Sequence, residues 1–278
     1  ASKRFPYIPG KHRREHYTIN LSGSTLRIAL PPHSSYDGFE AKPVPTQVNI
    51  YDTTAYDDKD LSQVPDWQRS QRAFYHLHKR HWEFYGTFWQ EQPEGFMVFS
   101  MNVIRVDALP EGMSCFNPAH FEQVMHHADY YARPCNPSLA KEVAPINWRL
   151  IEQDGQTWIY SEAHRDLREL TPQEKNSSSA AQISCGWRMP LSDRHYLTLS
   201  FRYLGYAPVA LCFKHMHALR DGVLNSVQLT LGPDAQEALQ RAKRRWPQAR
   251  ASQHKQPTEW VYPEWRYGDD RKGEPRLV

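Results

Sequence analysis

Between residues 183 and 231 the hydrophobic period of the chain changes twice, and this constrains the fold more than any other feature. Ile183, Cys185, Trp187 and Met189 alternate with Ser184, Gly186, Arg188 and Pro190, and past Leu191-Ser192-Asp193 the residues Leu197, Leu199, Phe201 and Tyr203 alternate with Thr198, Ser200 and Arg202. A period of two demands strands with one buried face. Beyond Gly205 the period lengthens. Val209, Cys212, Phe213, Met216, Leu219 and Val223 fall on one stripe of a helix that Pro208 can open and that Gly222 weakens near its end. Val227, Leu229 and Leu231 then return to alternation. The unit is strand, strand, helix, strand, and its sheet and helix can bury each other's apolar faces.

The remainder carries weaker versions of the same signals. Tyr17, Ile19 and Leu21, a Ser22-Gly23 turn, and Leu26, Ile28 and Leu30 predict a hairpin, and a short strand follows at 48–51. Residues 52–66 hold Tyr56, Asp57, Asp58 and Asp60 with no sustained periodicity, which reads as an acidic loop. Residues 67–79 admit a short helix, although the aromatic content of 74–89 argues equally for a strand, and 96–106 alternate as a long strand. Asn117-Pro118 is an N-cap and first-turn pair for a helix with Phe121, Val124, Met125, Ala128 and Tyr131 on its apolar stripe. Ile146, Trp148 and Leu150, the turn Asp154-Gly155, and Trp158 and Tyr160 predict a second hairpin; 162–179 reads as a polar loop, and 233–246 as an amphipathic helix with a basic last turn.

These elements predict an α+β fold of antiparallel sheets packed with a few helices. Each half shows a hairpin, an interval, a strand pair and a helix, so two similar β-β-α units in tandem are expected: a lobe over 1–140, a second over 141–246 and an extended tail over 247–278. In the tail, Trp260, Tyr262 and Trp265 stand among charged residues and either pack back or meet a partner.

Composition narrows the function classes. Hydrophobic residues at 40% and charged residues at 23% describe a globular chain, and 34 basic against 31 acidic residues, spread evenly, give no case for nucleic acid or an anionic membrane surface as the main partner. No apolar run approaches the roughly 20 residues of a spanning helix, so no integral membrane segment is expected. The opening Ala1-Ser2-Lys3 fits a removed export signal and an artificial start equally well. Four cysteines allow three pairings in an oxidising compartment; Cys115 and Cys135 bracket one predicted helix and are the expected disulfide, whereas Cys185 and Cys212 face inward by periodicity.

The motifs of common chemistries are missing. The sequence has no G-x-x-x-x-G-K-[ST], no G-x-G-x-x-G after a strand, no H-E-x-x-H, no C-x-x-C, and no nucleophile elbow, since Ser184-Cys185-Gly186 is out of frame. The His76-Leu77-His78-Lys79-Arg80-His81 run is the one cluster that suggests metal, because His76 and His78 would share a face of a regular strand. No carboxylate or Cys at familiar spacing completes such a site, and a solvated face is the plainer account. No catalytic residue, metal or cofactor is therefore assigned.

The run from Cys185 to Asp193, the strand 195–203 and the segment from Leu219 to Leu229 resemble the closing β-β-α-β unit of immunity proteins paired with type VI secretion phospholipase effectors. The likeness covers about a sixth of the chain, and its motif is architectural rather than catalytic. The resemblance implies a non-enzymatic, exported, periplasmic protein, with or without a lipid anchor, that acts as a monomer or in a 1:1 heterodimer with a cognate phospholipase toxin. Such an inhibitor works through aromatic anchors and desolvated charges, which points to Tyr56, Asp57, Asp58, Asp60, Trp260, Tyr262 and Trp265. The competing expectations are a metal-dependent hydrolase using the clustered histidines and an envelope ligand-binding or chaperone protein.

Overall fold

Both hairpin turns take the conformation that their residues favour. In the computed structural model, Ser22 and Gly23 have φ of 51° and 93°, and Asp154 and Gly155 have 51° and 74°. Two successive positive φ values define the two-residue turn whose twist matches the flanking strands. The first joins β1 (Glu15–Leu21) to β2 (Ser24–Leu30), and the second joins β6 (Glu142–Gln153) to β7 (Gln156–Arg165). The structure describes residues 7–34, 40–41, 43–56, 72–86, 93–107, 109–131, 142–165, 183–205 and 209–260.

The described elements are eleven strands and three α-helices, with a 3-10 turn at Thr53–Ala55. The others are β3 (Gln47–Val48), β4 (Arg72–Phe84), β5 (Gly95–Val106), α1 (Pro118–Tyr131), β8 (Ile183–Pro190), β9 (His195–Gly205), α2 (Val209–Leu224), β10 (Gln228–Thr230), α3 (Pro233–Arg245) and β11 (Thr258–Trp260). Seven strands form one antiparallel sheet in the order β11-β6-β7-β8-β9-β5-β4, and four form a smaller sheet, β10-β2-β1-β3, in which only β1 and β3 run parallel. The α+β class expected from the sequence is thus observed. Among the described residues no helix is long and apolar enough to cross a membrane.

The two halves share their sheets. β5 pairs with β9 from Gly95↔Gly205 to Arg105↔His195, and β10 pairs with β2. A boundary at residue 140 therefore falls between elements of one continuous ladder. Alternation explains why: Met97, Phe99, Met101 and Val103 on β5 and Leu197, Leu199, Phe201 and Tyr203 on β9 have the same inward side and enter the same core.

That core lies between one face of the large sheet and a second layer made of the small sheet and α2, which contributes Cys212, Met216, Leu219, Val223 and Leu224. The opposite face carries Ile104, Val106, Ile159 and Tyr196, covered by Phe121, Val124 and Met125 of α1. Asn117 caps α1 as expected, accepting from the backbone N–H of Ala119 at 2.9 Å and of His120 at 3.2 Å. Residues 72–84 are strand rather than helix, since their aromatic content suits the ladder that β4 makes along the whole of β5.

Where β5 meets β9 and α2 there is no room for a side chain at Gly95. A Cβ there would lie 2.7 Å from the Leu204 carbonyl oxygen, which is main chain and cannot turn aside, and 2.5 Å from Met216 Cε. Gly95→Ala is expected to lower stability by about 1–3 kcal/mol in chemical denaturation; an unchanged midpoint would contradict this.

Candidate functional site

The alternation of β7 does not stop at Tyr160. Trp158, Tyr160 and Glu162 share the inward side, and Glu162 is only 3% exposed, although the sequence reads it as the start of a polar loop. A carboxylate on such a face needs a partner, and Arg220 of α2, 6% exposed, supplies it. Arg220 lies four residues after Met216 and three before Val223, so it interrupts the apolar stripe that packs on the sheet.

The resulting cluster joins three elements. Arg220 Nη1 donates to Glu162 Oε1 at 2.9 Å, to the Tyr160 hydroxyl at 2.7 Å and to the Tyr203 hydroxyl at 3.3 Å. The Tyr160 hydroxyl donates to Glu162 Oε1 at 2.5 Å, and His164 Nε2 lies 2.8 Å from Glu162 Oε2, so both carboxylate oxygens are engaged. Arg220 Nε donates outward to Asp221 Oδ1 at 2.9 Å. Arg149 stacks over the Tyr160 ring, 4.3 Å from its centroid, and His217 packs edge-on against Tyr203 at 5.4 Å.

Burial alone would raise the Glu162 pKa. The hydrogen bonds from His164 and Tyr160 and the Arg220 charge outweigh it and hold the carboxyl at about 2. Burial pushes the Tyr160 and Tyr203 phenols well above the ordinary tyrosine range and the Cys185 thiol up to about 11. At neutral pH the cluster is one carboxylate and one guanidinium surrounded by neutral phenols and a protonated thiol. Chemically this is a clamp: the basic and nucleophilic positions are occupied by one another, and its effect is to fix α2 on β7 and β9.

A second polar cluster closes the turn between β8 and β9. Ser192 Oγ accepts from the backbone N–H of Arg194 at 3.2 Å and of His195 at 3.1 Å, and lies 2.7 Å from His195 Nδ1. With both lone pairs taken, the serine proton goes to Nδ1, which places the imidazole proton on Nε2. Burial, followed by the Arg105 charge, pushes the His195 pKa down to about 4, so the ring is neutral at pH 7.

The residues expected in a partner interface divide among several places. Tyr56 is not on a loop surface: it is 1% exposed and its hydroxyl donates to the Ile50 carbonyl at 2.6 Å, because the 3-10 turn before it directs the ring into the core. Asp57, Asp58 and Asp60 lie outside the described residues, as do Tyr262 and Trp265. The backbone of Trp260 belongs to β11, paired with Glu142 of β6. Cys115 is a buried free thiol, and Cys135 lies outside the described residues.

The expected metal pair is separated. A bulge between His76 and His78 lets two residues of β4 oppose one of β5, which reverses the alternation. His76 then stacks beside Phe74 and meets Asn102 at 2.7 Å, while His78 is buried on the other face, where Arg80 Nε donates to its Nε2 at 3.2 Å. Arg80 Nη2 in turn donates to the Tyr17 hydroxyl at 2.8 Å, so His78 belongs to a contact between the sheets. Among the described residues no three His, Cys, Asp or Glu side chains converge as a metal site.

No known family model matches this chain, and no curated protein matches it significantly.

Removing one member of the clamp leaves the other charged and buried. Arg220→Met is expected to cost about 3–5 kcal/mol, and Arg220→Met with Glu162→Gln less than the sum of the two singles; additivity in a double-mutant cycle would contradict the clamp. The two depressed pKa values also set an acid limb with two parts. His195 contributes stability that is complete above about 6.5 and is lost as the pH falls toward 4, and Glu162 a contribution complete above about 4.5 and lost toward 2. His195→Phe should flatten the upper part and Glu162→Gln the lower, each by up to about 1.4 kcal/mol per pH unit in denaturation series.

Proposed function

We propose that this chain is an immunity protein that binds a cognate secreted phospholipase toxin by direct contact and blocks it, in the periplasm, without catalysis of its own. The observation that carries the reading is the mutual engagement of Glu162, Arg220, Tyr160 and His164: the strongest ionisable groups of the interior hold α2 in place and leave recognition to the surface. The stretch that resembles such inhibitors, from Cys185 to Leu229, forms β8, β9, α2 and β10, and this unit is tied into both sheets. An inhibitor benefits from that rigidity, since a preformed surface loses little entropy on binding.

The test begins from the reading frames neighbouring the gene for this chain, where the proposal expects a phospholipase to be encoded. The purified pair is expected to form a 1:1 complex by light scattering and to lose phospholipase activity in proportion to added inhibitor, while the chain alone releases no fatty acid from phospholipid vesicles. Full lipase activity at excess inhibitor, or lipid hydrolysis by the chain itself, would overturn the reading.

A further inference from the structure

Tyr51 is the one large hydrophobic side chain among the described residues that is mostly exposed, at 54%. It follows the 22–23 turn in space, since Ile50 N–H donates to Ser22 Oγ at 3.0 Å, and its ring rests edge-on against His195 at 5.4 Å. Three carboxylates from three separate elements come near it: Asp52 next in the chain, Asp193 in the β8–β9 turn two residues before His195, and Asp234 in the first turn of α3, two residues past Gly232, whose N–H donates to Ser24 Oγ at 3.1 Å. Burial and then the charges of Asp234 and Asp193 hold the Tyr51 phenol above its ordinary pKa, as expected of close neighbours.

The polar contacts of Asp52 and Asp193 are to hydroxyl and amide groups. Asp52 accepts from the Thr54 hydroxyl at 2.6 Å and amide at 3.0 Å, and Asp193 accepts from the Ser114 hydroxyl at 2.5 Å. Among the described residues no basic side chain pairs with Asp52, Asp193 or Asp234, while the nearby Arg105 is taken by Asp107. Against Tyr51, His195 is 7% exposed, and its Nε2, on the side of the ring away from Ser192, is buried without a hydrogen-bond partner among the described residues. A buried N–H without an acceptor costs about 1–3 kcal/mol, so this donor favours a ligand that brings one.

We propose that the Tyr51 face is the docking surface for a basic loop of a protein partner, whose lysine or arginine enters among Asp52, Asp193 and Asp234 while a main-chain carbonyl of the same loop accepts from His195 Nε2. Resting on the immunity reading, the partner is the toxin. Tyr51 acts as anchor: its ring, edge-on to His195, supplies rigid contact area. Charge of this kind speeds encounter and selects against acidic partners.

Two arms test it. Nitrogen-15 spectra of the full chain titrated with a hexa-arginine peptide at low salt are expected to show shifts at Tyr51, Asp52, Asp193, Asp234 and the His195 Nε2–H. Added salt should abolish them, and Tyr51→Ala or Asp234→Lys should weaken them, with the remaining spectrum unchanged as proof of folding. Against the phospholipase, the same variants should each weaken affinity by about tenfold. Peptide shifts elsewhere, or none, overturn the surface. Tight lipase binding that both variants leave unchanged also overturns it while the immunity reading stands; absence of any lipase binding, with the peptide mapped to Tyr51, overturns that reading and keeps the surface.

Discussion

The contact on which the structure turns is the ion pair between Arg220 of α2 and Glu162 of β7, inside a core of aliphatic and aromatic side chains. Bringing both charges out of water costs several kcal/mol for each, and a hydrophobic pair of the same volume would hold at least as well. What the pair adds is selectivity among arrangements. α2 has an apolar stripe that could settle on the sheet in more than one register, and only one places the guanidinium against Glu162 with the Tyr160 and Tyr203 hydroxyls around it. The position of α2 in turn fixes the edge of the small sheet, because Ser226, just past the helix, bonds both the amide and the carbonyl of Ala29 in β2.

Much of this was legible from the residues. The alternation in 183–203, the lengthened period after Gly205 and the Asp154-Gly155 turn correspond to β8, β9, α2 and the β6–β7 hairpin with small differences at their ends. The pairing of β5 with β9 was not legible, since alternation marks an inward side but does not name the neighbour across a long gap. The clamp was half legible. Glu162 and His164 continue the period of Trp158 and Tyr160, and Arg220 occupies an apolar stripe position; two opposite charges on predicted inward faces are a signal in themselves. Their polarity concealed it, because a charged residue after a strand reads as the strand's end.

The histidines show the opposite error. A regular strand would have placed His76 and His78 together, and a single extra residue at Leu77 separates them. Bulges leave little trace in sequence, so side-chain pairs inferred from spacing are least secure there. Tyr56 is similar: its acidic neighbourhood suggested a surface, yet the ring is in the core, and among the described residues the exposed aromatic is Tyr51, five residues earlier.

On the proposed immunity reading, the interior polar groups hold the scaffold together and the outside meets the partner. Hydrogen–deuterium exchange of the chain with and without the proposed phospholipase partner tests this most directly. New protection is expected over 49–56, 192–195 and the start of α3, with exchange in β7 and α2 unaltered. Protection or exposure centred on Glu162 and Arg220, with the Tyr51 face unaffected, would mean that the interior itself opens to a ligand and would contradict it.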